Sequence, residues 1–396
     1  MKISPLKINR NYNFKGHGAG KIKALYMQNA EFYPQLFIYN ELRNIGQKHN
    51  FDVFIHTDDV LLDEYAYSCD SDGCEYGVWA QDNKTFLNKK DETVIITGLY
   101  CREKEAAQKL AEIKNLNFET PELHVEGGNY FVGKKPDGKN YIIVGYEDVL
   151  VTAFHYYLKD KLGEVSFDDM NIFASSNKLE KNGKIVADYK DFIRNYDQYM
   201  KIALNTFRDT FDVDKKDLTV LSQGQYHNDL VIRPLNYPYV LVNDEKLSEE
   251  NVKKLRIKHL FSPDAAKFVK DIKGKINEQK MNYASGDKLC NELEEAGFVP
   301  IRIGGGYGLC TLNFMNAIVH QDADGLIYIT NSCKFGDKNY EYLQNLFEKD
   351  LLKKCPQITK VYFVQGAVLG DKSTVTLEYL KRKGGIHCLC AEEMCE

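Results

Sequence analysis

The chain has 396 residues, 43% of them hydrophobic and 28% charged, which suits one large soluble domain or two ordinary ones. Its net charge of -5 and pI of about 6.1 exclude the global basic field that draws a protein to nucleic acid or to an anionic membrane. No apolar run approaches a membrane span, residues 1–7 lack an apolar stretch behind their lysines, and the ten cysteines are irregularly spaced, so a cytoplasmic protein with reduced thiols is expected.

Residues 23–28 read as a first strand. Residues 32–49 read as a helix, with Phe32, Leu36, Tyr39, Leu42 and Ile45 at helical spacing. Residues 51–56 return to strand and end at Thr57-Asp58-Asp59. A β-rich run at 93–99 is followed by a helix at 102–116, rich in Ala, Glu and Lys. Residues 122–132 and 140–146 read as a hairpin closed by Lys135-Pro136-Asp137-Gly138. The stretch 149–217 is more helical and more charged, and 189–211 reads as one long helix within it. Strands are expected at 218–221, 229–234 and 239–242. A polar helical segment follows at about 248–296. Strands then resume at 299–303, 314–319 and 326–329, followed by a helix at 340–353 and a strand at 360–364. Strand–helix–strand units thus recur, and no low-complexity linker marks a domain boundary.

Several short segments could carry chemistry. Trp79-Ala80-Gln81-Asp82 ends a Gly- and Asp-rich loop and could equally be a turn carboxylate beside a core Trp. Glu126-Gly127-Gly128-Asn129 sits within a β run. Glycine pairs there mark a bulge or a close backbone approach, and the Glu beside them faces either the interior or solvent. His227-Asn228-Asp229 opens a strand, which would put His227 and Asp229 on one face as acid/base and anionic anchor, or as a plain hydrogen-bonded pair. Gly384-Gly385-Ile386-His387-Cys388 is a sharp glycine turn into a cysteine, the strongest nucleophile among ordinary side chains once ionised. Gly304-Gly305-Gly306-Tyr307-Gly308-Leu309-Cys310 is a rival of the same form. His387, Cys388, Cys390 and Cys395 could also be read as a zinc cluster, although a second, separated ligand pair is missing. Residues 16–21 lack the spacing of a P-loop.

Taken in order, Trp-x-x-Asp, Glu-Gly-Gly-Asn, His-x-Asp and a C-terminal Gly-Gly-Ile-His-Cys resemble the guanidino-group-modifying, or pentein, superfamily. That group holds agmatine deiminases, peptidylarginine deiminases, arginine deiminases and amidinotransferases. The segment 384–388 is very similar to the nucleophile segment of agmatine deiminases, and 79–82 resembles its counterpart in peptidylarginine deiminases. Leu312-Asn313-Phe314, with Ile327-Tyr328-Ile329 and Asp337, resembles the strands that precede the nucleophile. Two departures stand out. Gln223-Gly224-Gln225-Tyr226 replaces a Thr-Asp-Gly before the His, and Leu389-Cys390-Ala391-Glu392-Glu393 replaces a Gln-rich tail.

The resemblance implies an α/β fold, a single five-bladed pentein propeller of ββαβ units over residues 1–396 around a central channel. The helical stretches at about 149–217 and 248–296 would be embellishments of it. It also implies Cys388, rather than Cys310, as nucleophile. His227 would be acid and base, Glu126 its orienting partner, and Asp82 and Asp229 the carboxylates that hold a guanidinium. Trp79 and Asn129 would complete the substrate site. No cofactor or metal is called for. The activity it implies is that of a guanidine hydrolase, a deiminase, with an amidinotransferase using the same covalent intermediate or a non-catalytic binding module as alternatives; the partner would be a small guanidine or an arginine-containing peptide, with no nucleic acid or membrane, and agmatine, arginine and peptidyl arginine stay open.

Overall fold

A computed structural model describes residues 20–28, 35–56, 61–62, 79–89, 92–101, 104–308, 312–369, 373–382 and 384–395. The expected start of the first helix at Phe32, the turn at Thr57-Asp58-Asp59, the loop before Trp79, Arg102 and the rival Cys310 lie outside these residues.

Five sheets share one topology. In each, a strand pairs antiparallel with a second strand, and the chain then crosses over to a third strand parallel to the second. Thr85–Lys89, Glu92–Ile96 and Asn117–Glu119 form the first such sheet, with helix Lys104–Lys114 as its crossover. Tyr130–Lys134, Asn140–Gly145 and Leu218–Leu221 form the second. Ile232–Pro234, Tyr239–Asn243 and Val299–Ile303 form the third. Ala317–Asp322, Gly325–Asn331 and Ile358–Val364 form the fourth, crossed by helix Lys338–Lys354. The fifth joins distant parts of the chain: Ala391–Met394 pairs antiparallel with Ile22–Gln28, which runs parallel to Asp52–His56 across helix Gln35–His49. Leu61–Leu62 adds an antiparallel edge to that sheet.

Parallel pairing requires a crossover of this kind, and the central strands it buries are apolar along most of their length. Tyr141, Ile142, Ile143 and Val144 are all buried, as are Leu326, Ile327, Tyr328 and Ile329. The second crossover is long. It holds helices Tyr146–Leu162 and Phe167–Ser176, a small hairpin of Lys178–Lys181 with Lys184–Asp188, and helices Tyr189–Arg194 and Tyr196–Phe211. The third holds Glu245–Lys258, Pro263–Asn282 and Gly286–Glu295. Among the described residues no helix is long and apolar enough to cross a membrane.

Three expectations change. Residues 189–211 are two helices, because Asn195 leaves helical geometry (φ -111°) and turns its amide onto the Asp191 carbonyl at 2.9 Å. Residues 127–129 form a short 3-10 turn before the strand that starts at Tyr130, so Glu126 precedes that strand. Asn228–Leu230 is likewise a 3-10 turn capped by His227, and strand geometry begins only at Ile232. In both places a polar side chain is presented by a turn at a strand's entrance.

Candidate active site

Four separate segments converge, each through a turn. Gln81 stitches three of them together. Its backbone N–H donates to the Cys388 carbonyl at 3.3 Å, and its side-chain amide donates to the Gly127 carbonyl at 2.7 Å. Asn129 joins the second segment to the third: its Oδ1 accepts from the Asn228 N–H (3.1 Å) and from Gln223 Nε2 (2.7 Å), and its Nδ2 donates to the buried Asp148 (3.3 Å). Expected at the substrate, Asn129 has its polar atoms engaged by the protein and holds the site together.

The glycines serve close approach. A Cβ at Gly128 would collide with the His227 ring, and one at Gly384 would collide with the Trp79 ring. One at Gly385 would meet Asn316 and Asn331. Asn331 Oδ1 accepts from the Ile386 N–H at 2.8 Å, and Asn316 Oδ1 accepts from the His387 N–H at 2.9 Å, so two buried asparagines fix the nucleophile turn. The earlier glycine run serves packing instead. The N–H groups of Gly305 and Gly306 donate to Asn243 Oδ1 at 3.1 and 2.7 Å.

Cys388 is 2% exposed. Its Sγ accepts from Asn316 Nδ2 at 3.2 Å and lies 3.4 Å from Asp229 Oδ2. Asp229 is fully buried. Its Oδ2 also accepts from Asn316 Nδ2 (2.7 Å) and lies 2.8 Å from His387 Nδ1, while its Oδ1 has no hydrogen-bond partner. His227 Nε2 lies 2.8 Å from Glu126 Oε2, and the His227 ring stacks on Tyr226 at 4.3 Å. Its Nδ1 makes no hydrogen bond. The donor atoms of His227, Asp229 and Cys388 all lie within 4.8 Å of one another, a convergence that no other such group among the described residues reaches. His387, Cys390 and Cys395 do not converge in this way, so the zinc reading of the C-terminal cysteines finds no geometry among the described residues.

The electrostatics follow from burial and from three carboxylates. Burial, with Asp229 and Asp82 nearby, pushes the Cys388 thiol up to about 12, against the pull of His227. Burial alone would discharge His227, yet Cys388, Glu126, Asp82 and Asp229 together carry it well above the usual histidine value. Burial raises the Asp229 carboxyl to about 6, opposed by His227, Cys388, Arg233 and Asn316. Burial and the carboxylates thus favour the protonated form of the Cys388 thiol and the charged form of His227.

A cavity of about 530 Å³ opens beside these groups, lined among others by Trp79, Asp82, Glu126, Tyr226, Tyr100, Phe167 and Met170. Cys388 is not one of its walls. Glu126 and Asp82 are shared: they line the cavity and act on the buried His227, and Asp82 acts on Cys388 as well. Sequence reasoning passed over Gln81, Asp148 and Asn316 as parts of this site. Gln81 lies within the quoted segment 79–82, and Asn316 lies three residues after Asn313.

No protein-family model matches the chain, and no curated protein is similar to it. Solved structures are. The agmatine deiminase of C. jejuni matches with a TM-score of 0.52 at 13% identity, over 97% of this chain and 96% of that one. A Porphyromonas gingivalis protein provisionally named arginine deiminase matches at 0.48 and 9% identity, over 94% and 96%. The C. jejuni enzyme is matched across nearly its whole length, as the motif resemblance spans the chain from its first strand to Cys388. The chain therefore shares the fold of this agmatine deiminase.

Proposed function

We propose that this protein is a guanidine hydrolase, a deiminase that converts an arginine-type guanidinium to a ureido group and ammonia through a covalent adduct on Cys388. In this reading the five sheets of one topology are the blades of a closed five-bladed propeller, and the converging turns are its channel. The observation that carries the proposal is the approach of His227, Asp229 and Cys388 to within 4.8 Å beside a cavity whose wall bears Asp82 and Glu126.

A planar cation that leaves water needs paired anions. Asp229 Oδ1 is an unoccupied acceptor for one guanidinium edge, and Asp82 supplies the other. The cation's arrival offsets the carboxylates that hold the thiol protonated, so the thiol releases its proton to solvent as substrate binds and the thiolate forms beside a still-protonated His227. Its sulfur attacks the guanidinium carbon and gives a tetrahedral adduct. Protonated His227 gives its proton to the nitrogen that departs as ammonia, and the carbon stays on sulfur as a thiouronium. His227, now neutral, takes a proton from water as that water attacks. The C–S bond then breaks, the thiolate returns, and the ureido product leaves. Glu126 holds the imidazole in place and favours its charged form throughout.

The test is a ureido-product and ammonia assay across agmatine, arginine and a blocked arginine peptide. Ammonia and ureido product in equal amounts support the proposal. Amidine transferred to an added amine without ammonia would place the protein among amidinotransferases. Neither product from any guanidine would refute catalysis.

A further inference from the structure

The wall of the cavity has two chemically unlike parts. Asp82 and Glu126 come from the turns that converge on Cys388. Phe167, Met170, Asn171 and Ala174 come from one helix of the second crossover, Phe167–Ser176. Those positions are i, i+3, i+4 and i+7, so they form one face of the helix. Phe173 anchors another face: it is buried, with its ring 5.4 Å from Phe154 and 5.5 Å from Tyr157. A capping box fixes the start of the helix. Ser166 Oγ accepts from the Asp169 N–H at 3.1 Å, and Asp169 Oδ2 accepts from the Ser166 N–H at 3.2 Å.

Phe167 opens the helix with its side chain in the cavity wall, and the residue is 39% exposed. Tyr100, also a wall residue, has its ring 6.2 Å from that of Phe167 and is held by its hydroxyl, 2.6 Å from His155 Nδ1. A guanidinium does not need this surface, since a planar cation is bound by anions. Apolar area in a cavity is area that a ligand's own apolar group can take out of water. Size points the same way. Cavities of about 300–1,000 Å³ take drug-sized ligands. This one, at about 530 Å³, exceeds what agmatine or free arginine would fill. Asn171, exposed in the same wall, carries an amide that both donates and accepts, as a peptide group requires.

We propose that the face of Phe167, Met170, Asn171 and Ala174 is a subsite for an apolar side chain next to the reacting arginine, and that the substrate is an arginine held in a peptide beside an apolar residue. Phe167, Met170 and Tyr100 take the neighbouring side chain, Asn171 meets the peptide group between the two residues, and Asp82 with Asp229 takes the guanidinium. The helix residues set specificity and take no part in the chemical steps. The proposal rests on the deiminase reading for the guanidinium end alone, and the subsite is testable without turnover.

Trp79 is the chain's one tryptophan and lines the cavity, so its fluorescence reports binding whether or not ammonia is released. Full-length protein is titrated with agmatine and with two blocked tripeptides, arginine between leucines and arginine between glycines, and the same compounds are assayed for ammonia. The leucine peptide should bind at least about tenfold more tightly than the glycine peptide, and kcat/KM should follow the same ratio. In Phe167→Ala that ratio should fall toward one. Ala174→Glu, at an exposed position of the same face, should turn the preference toward a tripeptide with lysine in place of leucine, a reversal that a loosened helix would not produce. Equal binding of the leucine and glycine peptides by the wild type would overturn the proposal. So would tighter binding of agmatine than of the leucine peptide, or an unchanged leucine preference in both folded variants. If the wild type selects the leucine peptide and releases no ammonia from any guanidine, the deiminase reading fails and the subsite stands. If it releases ammonia with no leucine preference, the subsite fails and the deiminase reading stands.

Discussion

Replacing Asp229 with Asn should move turnover and thiol reactivity in opposite directions. The carboxylate has two roles on this geometry. It offers the free Oδ1 to the substrate cation, and through Oδ2, 3.4 Å from Sγ, it opposes ionisation of Cys388. Losing one partner of a desolvated charge contact costs on the order of 2–5 kcal/mol, so kcat/KM should fall at least about thirtyfold. The effect on the thiol follows from the same distance. A unit charge 3.4 Å away disfavours the thiolate by about 1.2 kcal/mol at a water-like dielectric and by about 5 kcal/mol at an effective value near 20. The smaller figure already raises the thiolate fraction about eightfold, and roughly half of the logarithmic gain is returned as lower intrinsic nucleophilicity. Alkylation of Cys388 by iodoacetamide at pH 8, followed by mass spectrometry of its peptide, should therefore be at least about threefold faster in Asp229→Asn than in the wild type. Equal or slower alkylation in a folded variant would show that Asp229 does not set the state of the thiol, and the electrostatic account would be wrong.

Glu126→Gln should lower kcat/KM by about 10²-fold or more, most strongly at alkaline pH, because His227 loses a partner that favours its charged form; a pH–rate profile with an unmoved basic limb would count against that role. In the wild type kcat/KM should decline as pH falls through about 6, since a carboxyl raised to that value is protonated below it and can no longer pair with a cation. A flat profile between pH 5 and 7 would remove Asp229 from the substrate. Gly384→Ala should destabilise the fold by about 1–3 kcal/mol, because the new methyl group must displace the Trp79 ring, and a melting temperature within error of the wild type would show that the two segments do not pack as described.

Much of the strand–helix alternation was legible because central strands buried on both faces are apolar throughout, as at 326–329, and helices such as Lys338–Lys354 keep their apolar stripe. The entrances to the strands were not. Glu126 and Asp229 look like strand residues from their apolar neighbours, but residues 127–129 and 228–230 both take 3-10 geometry ahead of their strands. Position 195 reads as helix by periodicity, yet an Asn side chain that bonds the preceding turn breaks it. Asp82, Glu126, His227, Asp229 and Cys388 are proposed as site residues from motifs whose order, and not any single spacing, carries the information. Asn316, Gln81 and Arg233 were missed because their roles exist only in three dimensions. Each bridges segments dozens to hundreds of residues apart, and no local pattern distinguishes a bridging amide from a surface one.

The central claim is a covalent bond between Cys388 and the guanidinium carbon. Acid quenching during turnover, digestion and mass spectrometry test it directly, with His227→Ala run in parallel and a chelator arm included. A substrate-derived increment is expected on the peptide that contains Cys388, unaffected by chelator and longer-lived in the His227 variant, where water lacks a positioned base. Active turnover with no increment on Cys388, or activity that disappears with chelator, would contradict it.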